Sequence, residues 1–167
     1  MAIAQDNFDI FRKNGYEGQI STTEICSVLS RRVEGKLIQF GRAVINGVGK
    51  RTCAPVTAAT TAAEITGFSV RSMAEFSNTA PANPGNYEVG YDADHIASVL
   101  YGGAMFAMCV DGAKKGETVT VITADGDNQG RLTGSAGAGV KLNQVKWVED
   151  VAAGDIGEIR VNGILNV

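Results

Sequence analysis

The stretch 87–123, YEVGYDADHIASVLYGGAMFAMCVDGAKKGETVTVIT, limits the possible folds more than any other part of the chain. Its first apolar run, His95 to Tyr101, ends at Gly102-Gly103, a pair that can supply the positive φ of a tight hairpin. Ala104 to Val110 is apolar at every position and suits a strand covered on both faces. Asp111-Gly112 then marks a turn, and Glu117 to Thr123 alternates threonine with valine as a half-buried strand does. The pattern predicts a β-meander through the middle of a core. It holds no recognisable catalytic motif.

The same punctuation runs through the rest of the chain. Leu37 to Phe40 and Ala43 to Ile45 flank Gly41, and Asn46-Gly47 before Arg51 to Val56 is a strong hairpin signal. Residues 57–64, TAATTAAE, are small and weakly patterned and read as a loop, whereas Ile65 to Arg71 alternates as a strand. Gln144 to Val148 and Ile156 to Val161 flank a turn over Ala152 to Asp155. Residues 21–33, STTEICSVLSRRV, fit two patterns. Ser21 with Glu24 forms a capping box over a helical stripe, but Ile25, Ser27, Leu29 and Arg31 alternate among β-favouring residues. We read this segment as a strand. About nine to twelve short strands at such spacing make an all-β barrel or sandwich.

Three segments stand outside that rhythm. Residues 1–20 scatter Ile3, Phe8, Ile10, Phe11 and Tyr16 among polar positions with no sustained period, which suits an extended N-terminal arm that needs a surface to lie on. Residues 72–86 and 124–140 are long, polar and rich in turn residues, with Arg131-Leu132-Thr133 able to pair briefly inside the second. Long loops on a β core are candidate contact segments. The expected organisation is therefore an arm over 1–20 and a single β-rich domain over 21–167.

Composition narrows the function classes. Fifteen basic against eighteen acidic residues give a net charge of −3, which argues against a nucleic-acid surface. No run approaches the ~18 apolar residues of a membrane span, and MAIAQDNFDIF does not have the pattern of a signal peptide. A soluble protein made in a cytoplasm is expected. Cys26, Cys53 and Cys109 are odd in number, lack a CxxC spacing and sit among small or apolar neighbours, as buried hydrophobes do.

Catalytic chemistry finds little footing. Asp92, Asp94 and His95 bring two carboxylates and an imidazole together, but a metal site needs three or four convergent ligands. In an extended strand Asp92 and Asp94 share one side and His95 takes the other, so a turn whose histidine enters a strand is the better reading. There is no Gly-X-Ser-X-Gly elbow, and GSAGAG at 134–139 lacks the ending of a phosphate loop. No catalytic, cofactor-binding or metal residue is assigned.

Four stretches, IQFGRAVINGVGKRTCAPV, ITGFSVRS, YEVGYDADHIASVLYGGAMFAMCVDGAKKGETVTVI and VAAGDIGEI, resemble in order and spacing the structural cement proteins that decorate tailed-phage capsids. The resemblance lies at Phe40 to Val44, Ile65 to Phe68, Tyr87 to Gly90, Ile96 to Gly103 and Gly116-Glu117. It implies a virion protein on the outer surface of an expanded capsid, usually a homotrimer, bridging neighbouring major capsid protein subunits. No catalytic residues or cofactor carry over from that family. Phe8, Ile10, Phe11 and Tyr16 are then the expected anchors of the arm at the capsid or subunit interface, because aromatic groups dominate interface energetics. Two rivals remain: a phage tail or baseplate β module, and a small β-barrel enzyme or ligand-binding domain using Asp92, Asp94 and His95.

Overall fold

A computed structural model of the protein describes residues 15–21, 25–72, 89–163 and 165. Among these residues the regular structure is all β. Its strands are β1 (Ser27–Val33), β2 (Ile38–Gln39), β3 (Ala43–Asn46), β4 (Thr52–Pro55), β5 (Ile65–Ser69) and β6 (Gly90–Tyr91). They continue with β7 (Ile96–Met108), β8 (Thr118–Val121), β9 (Leu132–Thr133), β10 (Val140–Trp147) and β11 (Ile156–Val161).

One sheet runs β1-β4-β3-β5-β7-β11-β10-β8-β9, and a further pairing of β1 with β7 closes its first five strands into a barrel. The closure is a true ladder, from Ser27 opposite Gly102 to Arg32 opposite Ile96. The remaining strands curve away from the second half of β7. They return to it through a single parallel bridge between Cys109 and Leu132. The molecule is thus a closed barrel and a second arc of sheet sharing one long strand.

The sequence places a hairpin at Gly102-Gly103; instead β7 runs straight through it, and β7 and β8 do not pair, so there is no meander. The glycines answer a different need. A Cβ on Gly103 would lie 2.7 Å from Cys26 Sγ and 2.9 Å from its Cα, and one on Gly102 would lie 3.2 Å from the Gly163 carbonyl. Neighbouring backbone crosses the strand here, and Gly103 takes φ +109 to let it pass. The β1–β7 register also shifts at this point, skipping Tyr101, so the strand is bulged where it leaves the barrel.

The buried apolar side chains fall into two clusters. Val33, Val44, Cys53, Ala97 and Val99 form a small cluster in which Ile38, Phe40 and Tyr91 from the β2–β6 region also take part. Phe40 and Tyr91 meet edge to face at 5.3 Å, and the Tyr91 hydroxyl donates to the Val70 carbonyl at 2.7 Å. The second arc encloses a larger cluster: Met105, Ala107, Cys109, Val119, Val121, Leu132, Val145, Trp147 and Ile159. Trp147 crosses it and donates its indole N–H to the Thr133 carbonyl at 3.1 Å. Ala43, Ile65, Phe68 and Leu100 on the barrel strands belong to this larger cluster too, so it spans both bodies and fixes them to each other.

Most of the expected strands are present. Segment 21–33 is a strand from Ser27, Asn46-Gly47 opens the β3–β4 hairpin, and Leu132–Thr133 pairs with β8. Two runs differ in extent or burial. Strand β10 begins at Val140 rather than Gln144, because Val140 and Leu142 pair with Val121 and Val119. Strand β8 is more than half buried, since its threonine side is covered at Thr120. Cys53 and Cys109 are buried as expected, and burial pushes the Cys53 thiol up to about 11. Loop 72–86, apart from Ser72, lies outside the described residues.

Candidate interface at the root of the arm

Residues 15–21 lie against β7 on the side opposite β11. Gly18 N–H donates to the Phe106 carbonyl at 2.8 Å, Phe106 N–H to Gln19 at 2.8 Å, and Ser21 N–H to Ala104 at 3.0 Å. Ile20 and Met105 form an antiparallel bridge, so the arm enters the body as a short extra strand. Two glycines make the fit possible. A Cβ on Gly15 would fall 2.4 Å from the Phe106 ring, and one on Gly18 would meet the backbone of Gly41 at 2.9 Å. The Gly18 carbonyl accepts from Arg71 N–H at 2.7 Å, which ties the arm to the chain just after β5 as well.

Four charged side chains converge beside this entry: Glu17 from the arm, Arg42 before β3, Arg71 beyond β5, and Arg131 before β9. Gly41 makes room for the first, since a Cβ there would sit 2.4 Å from Glu17 Cγ. Arg42 is 7% exposed and acts as a strut. It donates to the carbonyls of Asp127 and Gln129 at 2.9 and 2.7 Å, and to the Gln39 side-chain oxygen. It therefore binds the 124–140 excursion to the barrel. This long segment, expected as a candidate contact loop, is pinned at its centre, where Gly130, Leu132 and Thr133 are buried.

Arg71 lies over two rings, its guanidinium carbon 4.9 Å from the Tyr16 centroid and 5.4 Å from that of Phe40. Arg131 donates to Asn128 Oδ1 at 3.0 Å, and its Nε stands 3.8 Å from Glu17 Oε1. Burial pushes the Glu17 carboxyl above the usual range, against the pull of Arg131, Arg42 and Arg71. Arg71 Nε, Arg131 Nε and Glu17 Oε1 are buried without a hydrogen-bond partner.

Of the four expected arm anchors, Tyr16 is the one the structure describes; Phe8, Ile10 and Phe11 lie outside the described residues. Tyr16 is 43% exposed, with one face on Arg71. Asp92, Asp94 and His95 form a turn on the far side of the barrel's closing ladder. Asp94 N–H donates to Val33 at 2.9 Å, Val33 N–H donates to His95 at 2.8 Å, and the Asp94 carboxylate pairs with Arg32 at 3.5 Å. Among the described residues no three His, Cys, Asp or Glu side chains are grouped as metal ligands.

A second projection is the tip of the β3–β4 hairpin. The Glu34 carboxylate accepts from Val48 and Gly49 N–H at 2.7 and 3.0 Å, and these bonds hold its pKa below the usual range. Val48 at the tip is fully exposed.

The arginine cluster was not legible in sequence, because its members come from four separate segments. One signal did exist. Gly41-Arg42-Ala43-Val44 repeats the glycine–charged–X–apolar rhythm of Gly116-Glu117 and Gly157-Glu158, but with a cation in place of the acid.

Comparison with known proteins matches residues 4–162 to the family model described as structural cement protein. A chain in the solved capsid of the Myoviridae phage XM1 shares the fold with a TM-score of 0.71 at 18% identity, over 99% of this chain and 100% of that one. No curated protein sequence matches.

Proposed function

Because the chain belongs to the structural cement protein family of phage capsids, we propose that it docks on the outer surface of the expanded shell and bridges neighbouring major capsid protein subunits. The family is one of structural virion proteins, and its role is to stabilise the capsid. The observation that carries the finer reading is the convergence at the arm root. The root of the arm, the chain just after β5 and the pinned centre of the 124–140 segment stand beside one another, at Glu17, Arg71 and Arg131. A clamp needs peripheral segments held in fixed relation by a body that does not yield. In this reading Phe8, Ile10, Phe11 and Tyr16 are the anchors of the arm, and the working form is a homotrimer.

Co-sedimentation with expanded capsids lacking the protein, and with unexpanded procapsids, tests it. Saturable binding to the expanded shell alone is expected. Removal of residues 1–14 leaves the root bonded to β7 and should weaken binding by about tenfold or more, as loss of an aromatic anchor cluster does. Unchanged binding by that truncation removes the arm from the mechanism. Failure of the intact protein to bind either shell removes the docking reading altogether. Sedimentation equilibrium of the free protein checks the trimer.

A further inference from the structure

We propose that the open edge of β1 is a docking strand that takes up an extended segment of the capsid subunit. The segment is apolar where it passes Val28 and Leu29 and acidic where it passes Arg31 and Arg51. The inference deepens the docking reading above and rests on it. Beyond its bulge at Ser27, the odd-numbered residues of β1 bond towards β7. At the end of that ladder Val33 N–H donates to the His95 carbonyl at 2.8 Å, and the Val33 carbonyl accepts from Asp94 N–H at 2.9 Å. The even-numbered residues bond towards β4. Arg32 N–H donates to the Arg51 carbonyl at 3.1 Å, and Glu34 N–H, just past the strand, to the Cys53 carbonyl at 2.8 Å. Main-chain groups alternate sides along a strand, so those of Val28 and Ser30 face the β4 side as well. There the ladder stops. Strand β4 pairs with β1 only at Thr52 and Cys53, opposite Arg32 and Val33. Among the described residues no strand lies beside Val28 and Ser30 on that side.

The local structure holds this edge open. The Glu34 carboxylate accepts from Val48 and Gly49 N–H, which draws the β3–β4 hairpin tip towards the end of β1 and away from its start. Arg51 makes the turn in the left-handed region at φ +58, uncommon for a residue with a side chain. Burial ends where the pairing ends. Val33, Arg31 and Leu29 share one face of the strand; Val33 is fully buried, whereas Arg31 and Leu29 are only half-buried. The surroundings define the chemistry of the occupant. Ile25 and Val28 are exposed at the start of the edge, and Lys50 and Arg51 are exposed beside its end. Glu34 and Asp94, the acids on the neighbouring turns, are already engaged, with the hairpin amides and with Arg32. An added strand gains main-chain bonds from Val28 and Ser30, apolar contact with Val28 and Leu29, and attraction from Arg31, Lys50 and Arg51. Two such basic edges repel each other, which disfavours pairing of β1 with its counterpart in a second copy.

Residue-resolved hydrogen exchange of the intact protein, free and bound to expanded capsids, tests the proposal. In the free protein the amides of Val28 and Ser30 should exchange like loop amides, while those of Leu29 and Arg31 are protected. On the capsid Val28 and Ser30 should become protected too. Fast exchange at both, in protein that has co-sedimented with capsids, overturns the proposal. So does protection already present in the free protein. Its loss on removal of residues 1–14 would assign the edge to the chain's own arm, its loss on dilution to a second copy, and its survival of both to the fold itself. Ser30→Pro removes a donor that only the open side uses, so the fold should hold while capsid binding weakens about tenfold. Lys50→Glu leaves the strand untouched; it should weaken capsid binding about fivefold and reduce its salt dependence. Parental binding by both variants overturns the proposal. Failure of the parent to bind either shell removes the capsid as occupant together with the docking reading. Alternating exchange in the free protein, measured without capsids, tells that failure apart from the absence of an open edge.

Discussion

The closed barrel and the second arc are built from the same strand by different means. The barrel is sealed by backbone: β1 pairs along β7 from Ser27 to Arg32, and small residues such as Ala97, Gly67 and Cys53 let the walls approach. A Cβ on Gly67 would meet the Leu100 carbonyl at 2.4 Å, so this wall has no room for a larger side chain. The arc is sealed by side chains. Its two ends meet at one bridge, Cys109 to Leu132, and its integrity depends on the cluster around Trp147. The barrel thus closes through a paired ladder, whereas the arc depends on a side-chain cluster that it shares with the barrel's Ile65, Phe68 and Leu100.

Trp147→Ala is the severest test of that contrast. Loss of this buried side chain should cost about 3–5 kcal/mol in guanidinium denaturation, the range of large-to-small aromatic changes. Hydrogen exchange should show the amides of β8, β10 and β11 losing protection while those of β3 and β4 keep most of theirs. Equal loss in both bodies would erase the distinction between them.

A smaller effect is expected at the crossing. Gly103→Ala places a Cβ against Cys26 at a φ of +109 and should cost about 1–3 kcal/mol. Both bodies should lose protection together, because the change strikes the strand they share. A parental denaturation midpoint would mean the crossing carries no strain.

The smallest effect lies at the arm root. Burial raises the Glu17 pKa above its ordinary 4.5, so the folded chain holds that proton more tightly than the unfolded chain does. Ionisation therefore subtracts from stability as pH rises through the raised value, and the deficit is absent well below 4.5. Glu17→Gln removes it. The variant should melt slightly higher than the parent at neutral pH, with the gap closing as the solution is acidified. A gap independent of pH would show that Glu17 is not titrating in a buried site.

Local chemistry in the sequence carried much of the fold. Asn46-Gly47, the alternation from Ile65, and Ile156 to Val161 each determine their strand within a few residues. Gly102-Gly103 misled because glycine reports only a demand for space or positive φ. A hairpin and a backbone crossing make the same demand, and the segment that does the crossing, at Ile25 and Cys26, is distant in sequence. The two-residue strands β2 and β6 carry no period at all. The arginine cluster was hidden for a related reason: each arginine alone reads as a solvated cation, and only the topology brings Arg42, Arg71 and Arg131 to Glu17.

The pairing of residues 18–21 with β7 has a mechanical consequence. The strand is roughly 40 Å long at ~3.3 Å per residue, so it reaches from one end of the molecule towards the other. A pull along the arm from Gly15 runs parallel to that strand, while the bonds from Gly18, Gln19 and Ser21 lie across it. Such bonds are loaded in shear: they share the force and must break together. A perpendicular pull would peel them one at a time. Tension entering through the arm is thus delivered lengthwise into β7 and spread at once over the ladders of both bodies.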